Sequence, residues 1–200
     1  MLQTLKAAAL ENMTKLILFL LLFMANSVAW SEDHYPGLQV DVKRDGRLYT
    51  FNASFDTPLT KCAAYHYLID YEAARNLPGV VSLLAHRQSA NKVKVEFTAA
   101  ERFLFFTVQI ISVTENTEKP FDGVSFIQLA GKSKLFQGSW NIESTQQGST
   151  LKFNGLWEPS DRVPVFIVDL FIKGSFIDKF SAIAKLAEKR RDMLPANCAN

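Results

Sequence analysis

Phe136-Gln137-Gly138-Ser139-Trp140-Asn141-Ile142-Glu143 alternates apolar or small residues with polar ones. After a turn at Gln146-Gln147-Gly148 the pattern resumes, with Leu151, Phe153, Gly155 and Trp157 opposing Lys152 and Asn154. A strict period of two is the mark of a strand with one wet and one dry face. Here the dry face is aromatic. The same texture spreads outward through residues 81–84, 92–98, 103–113 and 125–129. Polar turns such as Gln88-Ser89-Ala90-Asn91 separate these segments, as expected of antiparallel strands joined by hairpins. Residues 103–111, FLFFTVQII, are apolar on both faces, which predicts cover on each side or an interface.

On the N-terminal side, Leu38, Val40 and Val42 alternate with Gln39, Asp41 and Lys43. Arg44-Asp45-Gly46-Arg47 supplies a turn, and residues 48–55 return as a second strand. Asp56-Thr57-Pro58 then predicts a helix start. Residues 59–71 have helical spacing, and residues 72–77 predict a second short helix closed by Pro78-Gly79. After Pro159 and Pro164 a final helix spans 165–191, with Phe176, Phe180, Ile183, Ala184 and Ala187 on one face. Its first half, FIVDLFI, turns its apolar side elsewhere, so a bend or a frayed start is expected near Gly174. The element order describes an α+β fold: a curved antiparallel sheet wrapped around a long C-terminal helix, with two short helices after the first strands.

Composition narrows the classes. The chain has 200 residues, 48% of them hydrophobic and 16 of them Phe, which excludes a disordered polymer. A formal net charge of +2 is too balanced for a nucleic-acid binder. Two cysteines permit at most one bridge. Residues 16–25, LILFLLLFMA, follow Lys15 and precede Ser27-Val28-Ala29. A positive start, a short apolar core and small residues at the cleavage spacing define a secretory signal peptide at 1–29. The run falls short of the roughly 20 residues needed to cross a bilayer. Cleavage would leave Trp30 first, in a secreted or periplasmic and therefore oxidising location.

No convergent chemistry is legible. His34, His66 and His86 are isolated, without a metal-ligand spacing. Gly131-Lys132-Ser133 echoes a phosphate loop, but the glycine required five positions earlier is Phe126. Cys62 precedes His66 by one helical turn, a spacing that could pair a thiolate with a base, although a cysteine facing the core explains it as well. The reading therefore assigns no catalytic residue, no metal and no cofactor.

Several short motifs then point to a family. Val42-Lys43-Arg44-Asp45-Gly46 precedes the second strand, and Leu68-Ile69-Asp70-Tyr71 lies ahead of Leu77-Pro78-Gly79-Val80. Lys134-Leu135-Phe136-Gln137-Gly138-Ser139-Trp140 and Pro164-Val165-Phe166-Ile167 follow in order. Over residues 38–192 the chain resembles the START-like, polyketide-cyclase-like (SRPBCC) superfamily with its helix-grip fold, most of all the coenzyme Q-binding branch; residues 193–200 form a tail. The resemblance implies an apolar cavity between sheet and C-terminal helix, holding a quinone, lipid or polyketide-like molecule. It implies no catalytic set. Val93, Val95, Phe97, Phe136, Trp140, Phe153, Trp157, Phe166 and Leu170 are the expected ligand-binding residues. A carrier with a hydrophobic small molecule or lipid as partner is the leading expectation, with room for transient membrane contact through FIVDLFI. The rival is a cyclase or dehydratase using Tyr65, Tyr67, Arg102 and His66. The resemblance also sets the short helices near the end of the long one, where Cys62 could meet Cys198; whether they bridge stays open.

Overall fold

The period-two segments become eight antiparallel strands in a computed structural model that describes residues 34–103, 106–161 and 163–195. The signal-like stretch at 1–29 and the tail beyond residue 195, Cys198 included, lie outside the described residues. The strands are β1 (Gln39–Asp45), β2 (Leu48–Thr57), β3 (Val80–Arg87), β4 (Lys92–Phe103), β5 (Phe106–Lys119), β6 (Gly123–Gly131), β7 (Ser133–Thr145) and β8 (Gly148–Pro159). They form one curved sheet in the order β1-β2-β8-β7-β6-β5-β4-β3, so the N-terminal hairpin closes against the last strand. Register stacks the alternating residues. Phe136 faces Trp157, Gly138 faces Gly155, Trp140 faces Phe153, and Ile142 faces Leu151. The paired glycines make room for rings: a Cβ on Gly155 would stand 2.7 Å from the Phe153 ring, and one on Gly138 3.0 Å from Phe126.

Two helices cover this face. α1 (Lys61–Ile69) starts one turn later than the Asp56-Thr57-Pro58 reading, because Thr60 caps it by accepting the Ala63 amide. Its buried residues, Ala63, Ala64, Tyr65 and Tyr67, pack with Phe55, Ile142 and Leu151 of the sheet. Cys62, Ala63, Ala64, Tyr65 and Tyr67 bury most of its circumference rather than one stripe. Cys62, buried on α1, is disulfide-bonded. No thiolate is therefore available to pair with His66. The second short helix is only a 3-10 turn, Ala73–Asn76.

α2 (Val165–Lys189) runs without interruption through Gly174, so the expected fraying is not found. Its orientation is set by Val168, Ile172, Phe176 and Phe180, which pack on Tyr49, Phe51, Ala53 and Phe153. Asp169 fixes the first half: it accepts the Tyr49 hydroxyl at 2.8 Å and lies 3.1 Å from Arg44 Nε. Phe166 and Leu170 stand about 200° around the helix from Val168. They are consequently 66% and 72% exposed, which corrects their expected place in the cavity. Farther along the sheet, Leu83, Val93 and Val95 form a separate apolar cluster. Buried polar residues of β5, namely Ser112, Thr114 and Glu118, lie along the strand next to it.

Candidate functional site

The sheet, α1 and α2 meet around Trp140. Its ring packs against Phe55 at 6.2 Å, Phe153 at 5.1 Å and Phe180 at 5.5 Å between centroids. Directly against it lies a half-open cleft of about 120 Å3. Trp140 forms one wall, and Ile183 and Leu186 of α2 a second. Tyr67, Leu68 and Asp70 at the end of α1, followed by Tyr71, Ala73, Ala74 and Leu77, complete it. The lining is mostly carbon, as ligand clefts usually are.

Polar groups edge it. Tyr67 donates its hydroxyl proton to the Ile183 carbonyl at 2.7 Å, tying α1 to α2. Asp70 accepts from the Arg190 guanidinium and from the Ala73 amide. Burial pushes the Asp70 carboxyl upward, but these hydrogen bonds prevail and hold it below the usual carboxylate range. Tyr71 donates to Glu118 Oε1 at 3.2 Å, and Arg87 grips the same carboxylate with two bonds of 3.0 Å.

Of the nine expected ligand residues, Trp140 alone lines this cleft. Phe153 supports it from behind. Phe136 packs on Phe126, while Trp157 donates its indole N–H to Ser133 and packs on Tyr49. Val93 and Val95 are buried in the other cluster, with Phe97 partly buried against it. The residues that sequence reasoning missed, Asp70, Tyr71, Leu77, Ile183 and Leu186, come mainly from the link after α1 and the last turns of α2. The motifs at 68–71 and 77–80 touched the first of these regions, but nothing in them signalled a cleft.

Among the described side chains of the alternative catalytic set, Tyr67 alone lines this cleft. Tyr65 packs edge-on against Phe121 and beside His66, Tyr67 holds Ile183, and Arg102 sits on β4 opposite Thr107. Burial is the leading cause that raises both phenols, so each is a neutral donor and a poor base. The effect extends to all five tyrosines, with Tyr49 pushed up to about 12 by burial and then by Asp169. A neutral phenol favoured by folding stabilises fully below the unfolded value of 10.0, and that advantage disappears as pH rises through the folded value. Alkaline titration is therefore expected to show phenolate absorbance lagging behind that of free tyrosine, with stability falling above pH ~10 and phenolate appearing together with unfolding. Ionisation of all five at the free value in the folded protein would contradict the burial described.

Among the described residues, no three His, Cys, Asp or Glu side chains stand together to hold a metal, and no helix is long and apolar enough to cross a membrane. No family model and no curated protein matches the chain. Solved structures do. A STAR-related lipid transfer protein from Xanthomonas axonopodis superposes with a TM-score of 0.64 at 14% identity, covering 76% of this chain and 94% of that one. The ZhuI aromatase/cyclase from Streptomyces sp. R1128 gives 0.59 at 9% identity, covering 72% and 95%. Human STARD10 gives 0.57 at 10%, covering 80% and 77%. At these identities the likeness shows the fold alone: this is a START-like helix-grip structure.

Proposed function

We propose that the chain is an exported, non-catalytic carrier for a hydrophobic small molecule held between the sheet and α2. The observation that carries this reading is the carbon-walled cleft reaching from the surface to Trp140. Quinones, lipids and polyketide-like molecules are the ligand classes in view, the first because the motifs resemble the coenzyme Q-binding branch. Export is supported by the signal-like residues at 15–29 and, independently, by the disulfide at Cys62, since such bonds persist in oxidising compartments.

A titration of the mature domain with a short-chain ubiquinone analogue tests both parts. Protein recovered from an exporting host should begin at Trp30, and its indole emission should be quenched on binding, with much of the change lost in Trp140→Phe. Flat emission in a protein whose Trp140 is shown to be emissive would sink the carrier reading. A cyclase or dehydratase remains the second reading, supported by the polar side chains that border the cleft. Turnover of a poly-β-ketone substrate that fails in Tyr71→Phe but survives Arg190→Gln would favour it.

A further inference from the structure

The cleft is too small for the cargo just proposed. Ligand pockets ordinarily run from roughly 300 Å3 upward, whereas this one offers about 120 Å3. An apolar space of roughly 150 Å3 takes one benzene. A wall must move. The Trp140 wall is fixed by pairing of β7 with both β6 and β8 and by the rings around it. The α2 wall belongs to a 25-residue helix anchored by Phe180, Ala184 and Ala187. The third wall, residues 70–79, has no fully buried residue and no more regular structure than one 3-10 turn. It begins where α1 ends, at a non-helical Asp70, and finishes at Gly79, whose φ of +82° only glycine adopts readily.

We propose that residues 70–79 form a lid over the port through which an elongated apolar ligand enters end-on, latched shut by the Asp70–Arg190 ion pair. This rests on the carrier reading above. The lid's inner side presents Tyr71, Ala74 and Leu77 to the cleft, so lifting it widens an apolar passage toward Trp140. Its polar fastenings lie at its rim: Arg190 on Asp70, Arg75 Nε on the Leu83 carbonyl at 2.8 Å, and the Tyr71 hydroxyl on Glu118, while Tyr71 and Ala74 also rest on the Leu83–Val93–Val95 cluster.

The test uses N-phenyl-1-naphthylamine, a neutral apolar fluorophore, in stopped-flow binding to the wild type, Arg190→Gln, Asp70→Asn and the double variant. Hydrogen bonds to charged groups are strong enough that losing the latch should raise the open population, and with it the association rate, about tenfold. The double variant should be no faster than the singles, because both remove the same latch. Amide exchange should accelerate in residues 70–79 and stay unchanged in β7 and β8, which also shows that the variants are folded; should Arg190→Gln unfold, Asp70→Asn carries the test alone. Association at the wild-type rate in a folded variant overturns the lid while leaving the carrier intact. A probe that binds no form overturns both.

Discussion

Arg87→Ala is expected to lower stability by about 3 kcal/mol, although the residue is half in water. The reason lies with its partner. Glu118 is 4% exposed on the inner face of β5, and its carboxylate is held by the two guanidinium bonds and the Tyr71 hydroxyl. Removing one member of a buried pair typically costs about 3–5 kcal/mol, because the other charge is left without compensation. The 52% exposure of Arg87 lets water take over part of its role, which places the value at the lower end. For a domain of this size that corresponds to a fall in Tm of roughly 6–12 °C. Adding Glu118→Gln to the alanine variant should recover much of the loss, since a neutral amide is cheaper to bury than a lone carboxylate. Thermal melts of the two variants decide it. A loss under ~1 kcal/mol for Arg87→Ala, the level of a surface ion pair, would show that Glu118 is solvated after all.

That pair also marks where sequence reasoning stops. Thr117-Glu118-Lys119 looks like the polar end of a strand, and only the pairing of β5 with β4 and β6 turns Glu118 toward the interior. By contrast, the sheet and its aromatic face were legible, because the side-chain period of a strand is a local property that survives folding. The inward faces at Phe136, Trp140, Phe153 and Trp157 followed from alternation alone. The first half of α2 was not legible: spacing suggests that FIVDLFI turns its apolar side away from that of the second half, but contacts with Tyr49 and Phe51 select the side of Val168 and Ile172, in line with Phe176 and Phe180. Phe166 and Leu170 consequently face out rather than into the expected cavity. The cleft was harder still. It is bounded by the link after α1 and the end of α2, more than a hundred residues apart, and no spacing rule connects Leu77 with Leu186.

Phe180→Ala should cost about 3–5 kcal/mol, the range for deleting a large buried ring, and should enlarge the cleft at the same time. Phe180 is 4% exposed and sits between α2 and the sheet, with ring centroids 5.1 Å from Phe153, 5.5 Å from Trp140 and 5.8 Å from Phe176. It is the residue through which the helix reads the sheet. Truncation removes apolar contact from all three rings, and the strands cannot collapse into the space because β7 and β8 are pinned in register. The void left next to Trp140 adjoins a cleft of about 120 Å3, so an apolar probe should bind the variant more tightly than the wild type even as the protein melts roughly 6–20 °C lower. Phe180→Leu supplies the control: much of the volume remains, the cost should stay under ~1.5 kcal/mol, and probe affinity should change little. Urea unfolding gives the stability and probe titration below the melting range gives the affinity. If the alanine variant loses stability without gaining affinity, the void is closed off from the cleft, and the passage from the surface to the sheet–helix interior does not run past Trp140.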